Sequence, residues 1–566
     1  MFRISRLISR EKRSDRILNW LKKVVPCSIS IVFVIALVPS PSRAAKVDSE
    51  VAGSLLRASS SGTGVRVILK FKGGGTPGEL LADIPNEDRG KRLTKIVQRL
   101  RESSGSARRE IERRLEKGMV EGTVSEIRPL WVVNAVAIEA SAELIEELST
   151  RTDVEEIIPD KVLRLAAPLP SAVVPGTWNI DRIGVRSLWG AGFRGDGVVV
   201  ATFDTGADIR HPEFGNKWRG GAADWFVAYS PDPLPHGIPS DDDPNGHGTR
   251  VMGLLVGGDI GGAPTGIAPE AKWIAAKVFS NSGESSYSAI HAAFQWALDP
   301  DGDPATLDAP DVVNCSWDLE NPGGYLAEFE PDIRNLKTAG IAVVFAAGNS
   351  GPASSTSTSP GNNPGALAIG AIGSDDLVAG FSSRGPSSSD GSVYPSLVAP
   401  GVGIRTTDLW FGSLATSYTT VSGTSYSAPH AAGSLALLFS ADPALTADHA
   451  EGALKQAAID FGQAAPDNSY GYGLLDVDRA ARVLGILPPL PVPDGDADGD
   501  GILTIGDVLA VLRTAVGANI DVNLTTTVRT NGDVAPLING VPAPDGKITI
   551  ADVLTLLHRY VGAISW

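Results

Sequence analysis

The chain has 566 residues, 43% of them hydrophobic and 20% charged, with a formal net charge of −16. That length exceeds what one hydrophobic core can serve, so several domains are expected. Residues 1–44 carry nine Lys and Arg against two Asp and Glu, residues 45–166 carry twenty of each, and the remainder holds 20 basic against 43 acidic groups, a surface that repels nucleic acid and anionic membranes.

At the start of the chain, a basic stretch up to Lys23 is followed by an apolar run from Ile29 to Val38 and then by "PSRAA". This pattern predicts an export signal over residues 1–44 with cleavage near Ala44, and the run is too short for a membrane anchor. The expected location is therefore outside the cell or on its surface. Cys27 leaves with the signal, so only Cys315 remains and no intramolecular disulfide is expected.

The stretch "VRVILKF" at 65–71 alternates as a strand does. A charged helix is predicted from about Arg89 to Lys117, then one strand over "PLWVVNAVAIEA", a helix from about Ser141 to Thr150, and a last strand in "VEEIIPDKV". These elements define a compact α+β unit over 65–166. "LAAPLPSAVVPG" reads as an exposed linker after it.

From 177 to 487, short apolar runs alternate with helical patterns: "GVVVATFDTG", "KWIAAKVF", "DVVNCSW", "IAVVFAAGN" and "ALAIGAIG". Such runs predict an α/β domain with a parallel sheet covered by helices on both faces. Functional groups collect beyond the carboxyl ends of such strands, and Asp204 and Asn349 stand there. A Pro-rich linker at 488–493 leads to a last unit over 494–566. Its "DADGDGILTIGDVLAVLRTAVG" and "APDGKITIADVLTLLHRYVG" form an internal duplication.

"GTSYSAPHAAG", 423–433, opens a buried helical run on an unusually bare backbone. A serine on the first turn lies among unpaired N–H groups and the positive end of the helix dipole, which favour a developing negative charge. Its hydroxyl needs a base, and the base needs a third group to fix its tautomer. The chain offers them in the order Asp204 in "ATFDTGADIRHPEF", His247 in "DDDPNGHGTRVMGLLVG", and Ser425. His211 and His430, each near a proline, read as structural.

These motifs, with "FSSRGP", "VAPG" and "YGYGLLDVDRA", make residues 178–487 resemble a subtilisin-like serine protease, a subtilase. The resemblance implies Asp204 as the residue orienting His247, His247 as general base and acid, Ser425 as nucleophile and Asn349 in "FAAGNSG" as oxyanion donor. It implies substrate contacts at Ser316 and Gly348, and protein or peptide substrates. Two departures stand out. Arg250 replaces a frequent second His, which should leave the chemistry intact. The strand "NCSWD" carries Asp318 where the family commonly has Gly, with Trp317 beside it. That Asp reads first as a solvated carboxylate on the rim, and second as a subsite for a basic side chain.

The 65–166 unit resembles the inhibitory propeptide of the same family. The 494–566 unit resembles a dockerin, a small all-α module of paired calcium loops. In the first loop Asp496, Asp498, Asp500, Ile502 through its carbonyl, and Asp507 fall at calcium-ligand spacing. The second loop offers Asp545 and Asp552, and an expanded loop starting at Asp533 supplies the missing ligand. The resemblance implies calcium at these loops, with a further calcium in the catalytic domain left open, and a cohesin-like module as partner. The competing reading is a catalytically silent, calcium-dependent adhesion or scaffold protein on the same fold.

Overall fold

The computed structural model describes residues 45–61, 63–73, 89–103, 105–166, 168–171, 176–229, 237–464, 466–488, 497, 503, 505–515, 533–535, 537–538, 541–542, 544 and 547–560. The expected export signal, residues 167 and 172–175 of the first linker, residues 489–493 of the second, and five proposed calcium ligands (Asp496, Asp498, Asp500, Ile502 and Asp545) lie outside them.

The N-terminal unit is a five-stranded sheet in the order β1-β5-β2-β4-β3, formed by β1 (Lys46–Val47), β2 (Val65–Phe71), β3 (Val124–Leu130), β4 (Ala135–Ala140) and β5 (Val154–Pro159). Helices α1 (Ser49–Ser61), α2 (Arg89–Ser103), α3 (Gly105–Glu121) and α4 (Ala142–Ser149) accompany it. Three expectations are corrected here. The unit begins ahead of residue 65, because β1 pairs with β5 and Val51, Leu55 and Ala58 of α1 enter the same core. The helix expected to end near Lys117 runs on to Glu121 at the end of α3. The single strand over 129–140 is the end of β3 and the whole of its hairpin partner β4, turned by a 3₁₀ segment, Trp131–Val133, and by Asn134 at φ 50°. Asn tolerates the left-handed region better than most residues, and that was the available signal.

The larger domain holds seven parallel strands in the order β14-β13-β12-β11-β7-β9-β8: β7 (Val199–Asp204), β8 (Trp225–Val227), β9 (Lys272–Lys277), β11 (Val312–Cys315), β12 (Ala342–Ala346), β13 (Leu367–Ile372) and β14 (Leu397–Pro400). These strands are buried almost throughout, the mark of a sheet covered on both faces. Helix α5 (His247–Val256) precedes β9. Strand β10 (Glu284–Ser286) leads into α6 (Tyr287–Leu298), and α7 (Glu330–Thr338) precedes β12. A hairpin of β15 (Ile404–Thr407) and β16 (Tyr418–Val421) leads to α8 (Thr424–Ala441), the buried central helix, followed by α9 (Ala447–Ala457) and α10 (Val477–Val483).

The two units share a core. Ile68, Leu93, Ile96, Leu130 and Trp131 of the first lie in one apolar cluster with Phe294, Phe329 and Ile333 of the second. The polar contacts are specific. The Asp160 carboxylate accepts from the Ser288 N–H and Oγ, both at 2.8 Å, on the first turn of α6. Lys70 pairs with Glu328 at 2.7 Å, and Asn335 donates to the Val132 carbonyl at 2.8 Å. Beyond β5 the chain forms β6 (Val162–Arg164), antiparallel to β10.

In the C-terminal unit α11 (Ile505–Ala515) packs against α12 (Ile550–Tyr560) around Val508, Val511, Val553 and Leu556.

Candidate active site

Asp204 ends β7, and β-strand pairing with β9 and β11 fixes its place at the carboxyl edge of the sheet. Its Oδ1 lies 2.7 Å from His247 Nδ1, at the start of α5, and also accepts the Thr205 N–H at 2.7 Å. Asp204 is fully buried, and its Oδ2 has no partner among the described residues. Burial pushes the His247 pKa down, but the Asp204 carboxylate, with Asp243 and Asp241 behind it, outweighs burial and holds it above the ordinary value. Since Nδ1 faces a carboxylate, it carries the hydrogen, and Nε2 is left with its lone pair.

Ser425 is the second residue of α8. The turn into the helix depends on Gly423, at φ 148°, a backbone geometry closed to side chains. Asn349, just beyond β12, has its Oδ1 occupied by the Thr424 N–H and Oγ1, both at 3.0 Å. This fixes the amide orientation, so Nδ2 faces the other way, where it has no hydrogen bond among the described residues. The Ser425 N–H also has none there. Gly348 donates to Thr424 Oγ1 at 3.1 Å, and a methyl group on it would fall 2.4 Å from Thr358 Cγ2. Glycine is therefore required for this loop to reach the helix. The Tyr426 ring packs 5.6 Å from the His247 imidazole, centroid to centroid, which brings the helix start and the base together. No Ser425 Oγ to His247 Nε2 hydrogen bond is formed here; in sites without substrate this contact is commonly long.

The Ser316 side chain is engaged within the site. Its Oγ donates to the Ser425 carbonyl at 2.7 Å and accepts from Asn314 Nδ2 at 2.9 Å. The reason lies in Pro429, four residues after Ser425 inside α8. Proline has no N–H, so the Ser425 carbonyl loses its helical donor, and Ser316 supplies one. Only the backbone of Ser316 is left for a substrate.

Asp318 is a correction. The expected solvated rim position is wrong, since the residue is 8% exposed. Arg250, on the same helix as His247, pairs with Asp408 at 3.1 Å. His211 and His430 bond to backbone carbonyls of Ser417 and Tyr426 at 2.9 and 2.8 Å.

Of the expected calcium ligands, Asp507, Asp533 and Asp552 are described and buried. Asp507 accepts the Ala497 N–H at 2.7 Å, and Asp552 accepts the Val534 and Ala535 N–H groups at 2.9 Å. Each loop-closing Asp thus binds the residue directly after the acid proposed to open its loop, Asp496 or Asp533. In the larger domain Asp299, Asp301 and Asp308 can bring ligand atoms within 4.8 Å of one another, and Asp299 already pairs with Arg101 of the N-terminal unit.

A buried His–carboxylate pair beside a serine on a helix N-terminus, at the carboxyl edge of a parallel sheet, defines an α/β serine hydrolase. Comparison with known proteins narrows the class. A model of the Subtilase family matches residues 195–473. The chain is 33% identical over 307 residues to subtilisin DY of Bacillus licheniformis, covering 98% of it, and 32% identical over 354 residues to subtilisin E of Bacillus subtilis (strain 168), covering 81%. These alignments take in 54% and 62% of this chain. It is also 29% identical over 539 aligned positions to bacillopeptidase F of Bacillus subtilis (strain 168), taking in 84% of this chain but only 36% of that relative's length. The chain belongs to the subtilase family of serine endopeptidases, which disfavours the silent scaffold. Among the described residues no helix is long and apolar enough to cross a membrane.

Proposed function

We propose that this chain is a secreted endopeptidase, made as a self-inhibited precursor and carrying a calcium-dependent binding module. The carrying observation is the 2.7 Å contact between His247 Nδ1 and Asp204 Oδ1 beside the start of α8. Asp204 orients the imidazole and supports its positive charge. His247 Nε2 takes the Ser425 proton as Oγ attacks the scissile carbonyl, then returns it to the leaving amine. The Ser425 N–H and Asn349 Nδ2 receive the oxyanion. Water, deprotonated by His247, then hydrolyses the acyl-enzyme. Hydrolysis of a denatured protein such as casein by the wild type, with loss in Ser425→Ala, tests this reading. Equal hydrolysis by both would refute it.

The N-terminal unit is read as the inhibitory propeptide. Its support is that β6 joins β10 as an added strand, the Leu165 N–H continues the pairing to the Gly283 carbonyl at 2.8 Å, and Ser171 Oγ donates to Ser422 Oγ at 2.7 Å, three residues before Ser425. The tail thus follows the course a substrate would take. Burial of Asp507, Asp533 and Asp552 at matching places in a duplicated unit fits a hard cation with oxygen ligands. Calcium there would close each loop ahead of its helix. Ile505 and Leu509 on α11 repeat as Ile550 and Leu554 on α12, all about half exposed, a paired apolar face suited to a cohesin-like partner.

A further inference from the structure

We propose that Asp318 gives the enzyme an acidic pocket for the side chain preceding the scissile bond, so that it cleaves after arginine and lysine. The proposal rests on the reading of Ser425 and Asn349 above and adds the substrate class.

Two chain segments flank the start of α8. One is 314–318, tied to Ser425 by the bond from Ser316 to its carbonyl. The other is 348–349, tied to Thr424 by Gly348 N–H and Asn349 Oδ1. A peptide whose scissile carbonyl sits between Ser425 N–H and Asn349 Nδ2 must send the neighbouring side chain between these segments. Asp318 and Gly348 face each other there: Asp318 Oδ2 lies 3.4 Å from where a Gly348 methyl would stand, and Thr358 adjoins both. The Thr358 methyl already fills the place of a Gly348 side chain, 2.4 Å from where its Cβ would stand, so the opening for the substrate is at the free Oδ2 edge of Asp318, which sets its charge.

The carboxylate is built in and left half-used. Its Oδ1 accepts the Glu320 N–H at 2.6 Å and Thr358 Oγ1 at 3.4 Å. Oδ2 makes no hydrogen bond among the described residues, yet it is not sealed from solvent. No Lys, Arg or His pairs with Asp318 there, and the charge felt by it is the like charge of Glu320. A carboxylate held in so little water without a counter-ion is costly, and a cation from the substrate removes that cost. One free oxygen suits either an ammonium or a guanidinium N–H. Burial pushes the Asp318 pKa up to about 6, so the group is ionised in mildly alkaline solution.

The segment 165–176 contains neither Lys nor Arg. A self-cut there proceeds without the Asp318 contact, driven by intramolecular presentation, and the tail it leaves does not satisfy the pocket.

The test uses the matured wild type, Asp318→Asn and Asp318→Gly at pH 8, with peptide substrates that differ only in Arg, Lys or Leu before the scissile bond. Active-site labelling by a fluorophosphonate, run in parallel, counts working sites in each preparation. The wild type should show a kcat/KM ratio of Arg or Lys over Leu of about 100 or more, and each variant should lower that ratio at least about tenfold. A general loss of structure lowers all three substrates alike and leaves the ratio standing. Wild type that labels fully but prefers Leu overturns the proposal while the endopeptidase reading survives. Wild type that neither labels nor hydrolyses any peptide overturns both.

Discussion

Ser316 Oγ donates to the Ser425 carbonyl at 2.7 Å, taking the place of the helical N–H that Pro429 lacks. The helix start is thereby held from β11, across the site. Ser316→Ala leaves that carbonyl without a donor, at a cost of about 1–3 kcal/mol. It also loosens Ser425 while the substrate-facing backbone stays. We expect kcat to fall roughly tenfold with a smaller change in KM, since a displaced nucleophile is felt mainly in the transition state. Steady-state kinetics decide this. A raised KM at constant kcat would instead assign the Ser316 side chain to substrate binding.

Protonation of His247 sets the acid limb of activity. The base must be neutral to act, and the Asp204, Asp243 and Asp241 carboxylates outweigh burial in holding its pKa above 6.5. Activity is therefore lost as pH falls through a midpoint above 6.5. Asp204→Asn should shift that midpoint down and reduce kcat by about 10⁴, the size known for the equivalent change in a serine protease. A kcat/KM profile against pH checks both, and a midpoint unmoved in the variant would remove Asp204 from the relay.

The N-terminal unit makes maturation testable. With β6 on β10 and Ser171 beside Ser422, we expect the cut in the linker between about Leu165 and Gly176. Ser425→Ala should accumulate as a folded, uncut precursor beginning near Ala45, while wild type is cut within that linker. Intact mass of both, expressed in a protease-deficient host, reads the outcome. Cutting of both at one position would assign maturation to another protease.

For the C-terminal unit, the fragment 490–566 should fold only with calcium. The core between α11 and α12 is small, and units of this size rarely hold without a staple. Far-ultraviolet circular dichroism should show helicity gained with calcium and lost with chelator. Equal helicity in both conditions contradicts this reading.

Much of this architecture was legible in the sequence because burial on both sheet faces leaves uninterrupted apolar runs. Asp204, His247, Ser425 and Asn349 stood out because each sits at the end of such a run or the start of a helix. What remained hidden depends on contacts between distant segments. Nothing near Ser316 indicates that Pro429 frees the carbonyl of Ser425. The burial of Asp318 is set by the approach of Gly348 and Thr358, which no local pattern encodes. The hairpin at Asn134 was missed because its 3₁₀ turn is made of apolar residues, Trp131–Val133. They are apolar because they pack against the larger domain.

The central claim, that Ser425 is a nucleophile activated through His247, is tested most directly by covalent labelling. Matured enzyme is treated with a fluorophosphonate, and the labelled residue is mapped by peptide mass spectrometry. One label per chain on Ser425, with peptide hydrolysis lost in proportion and no labelling of Ser425→Ala or His247→Ala, is the result this account predicts. Hydrolysis that persists after complete labelling, or a label on another serine, would contradict it.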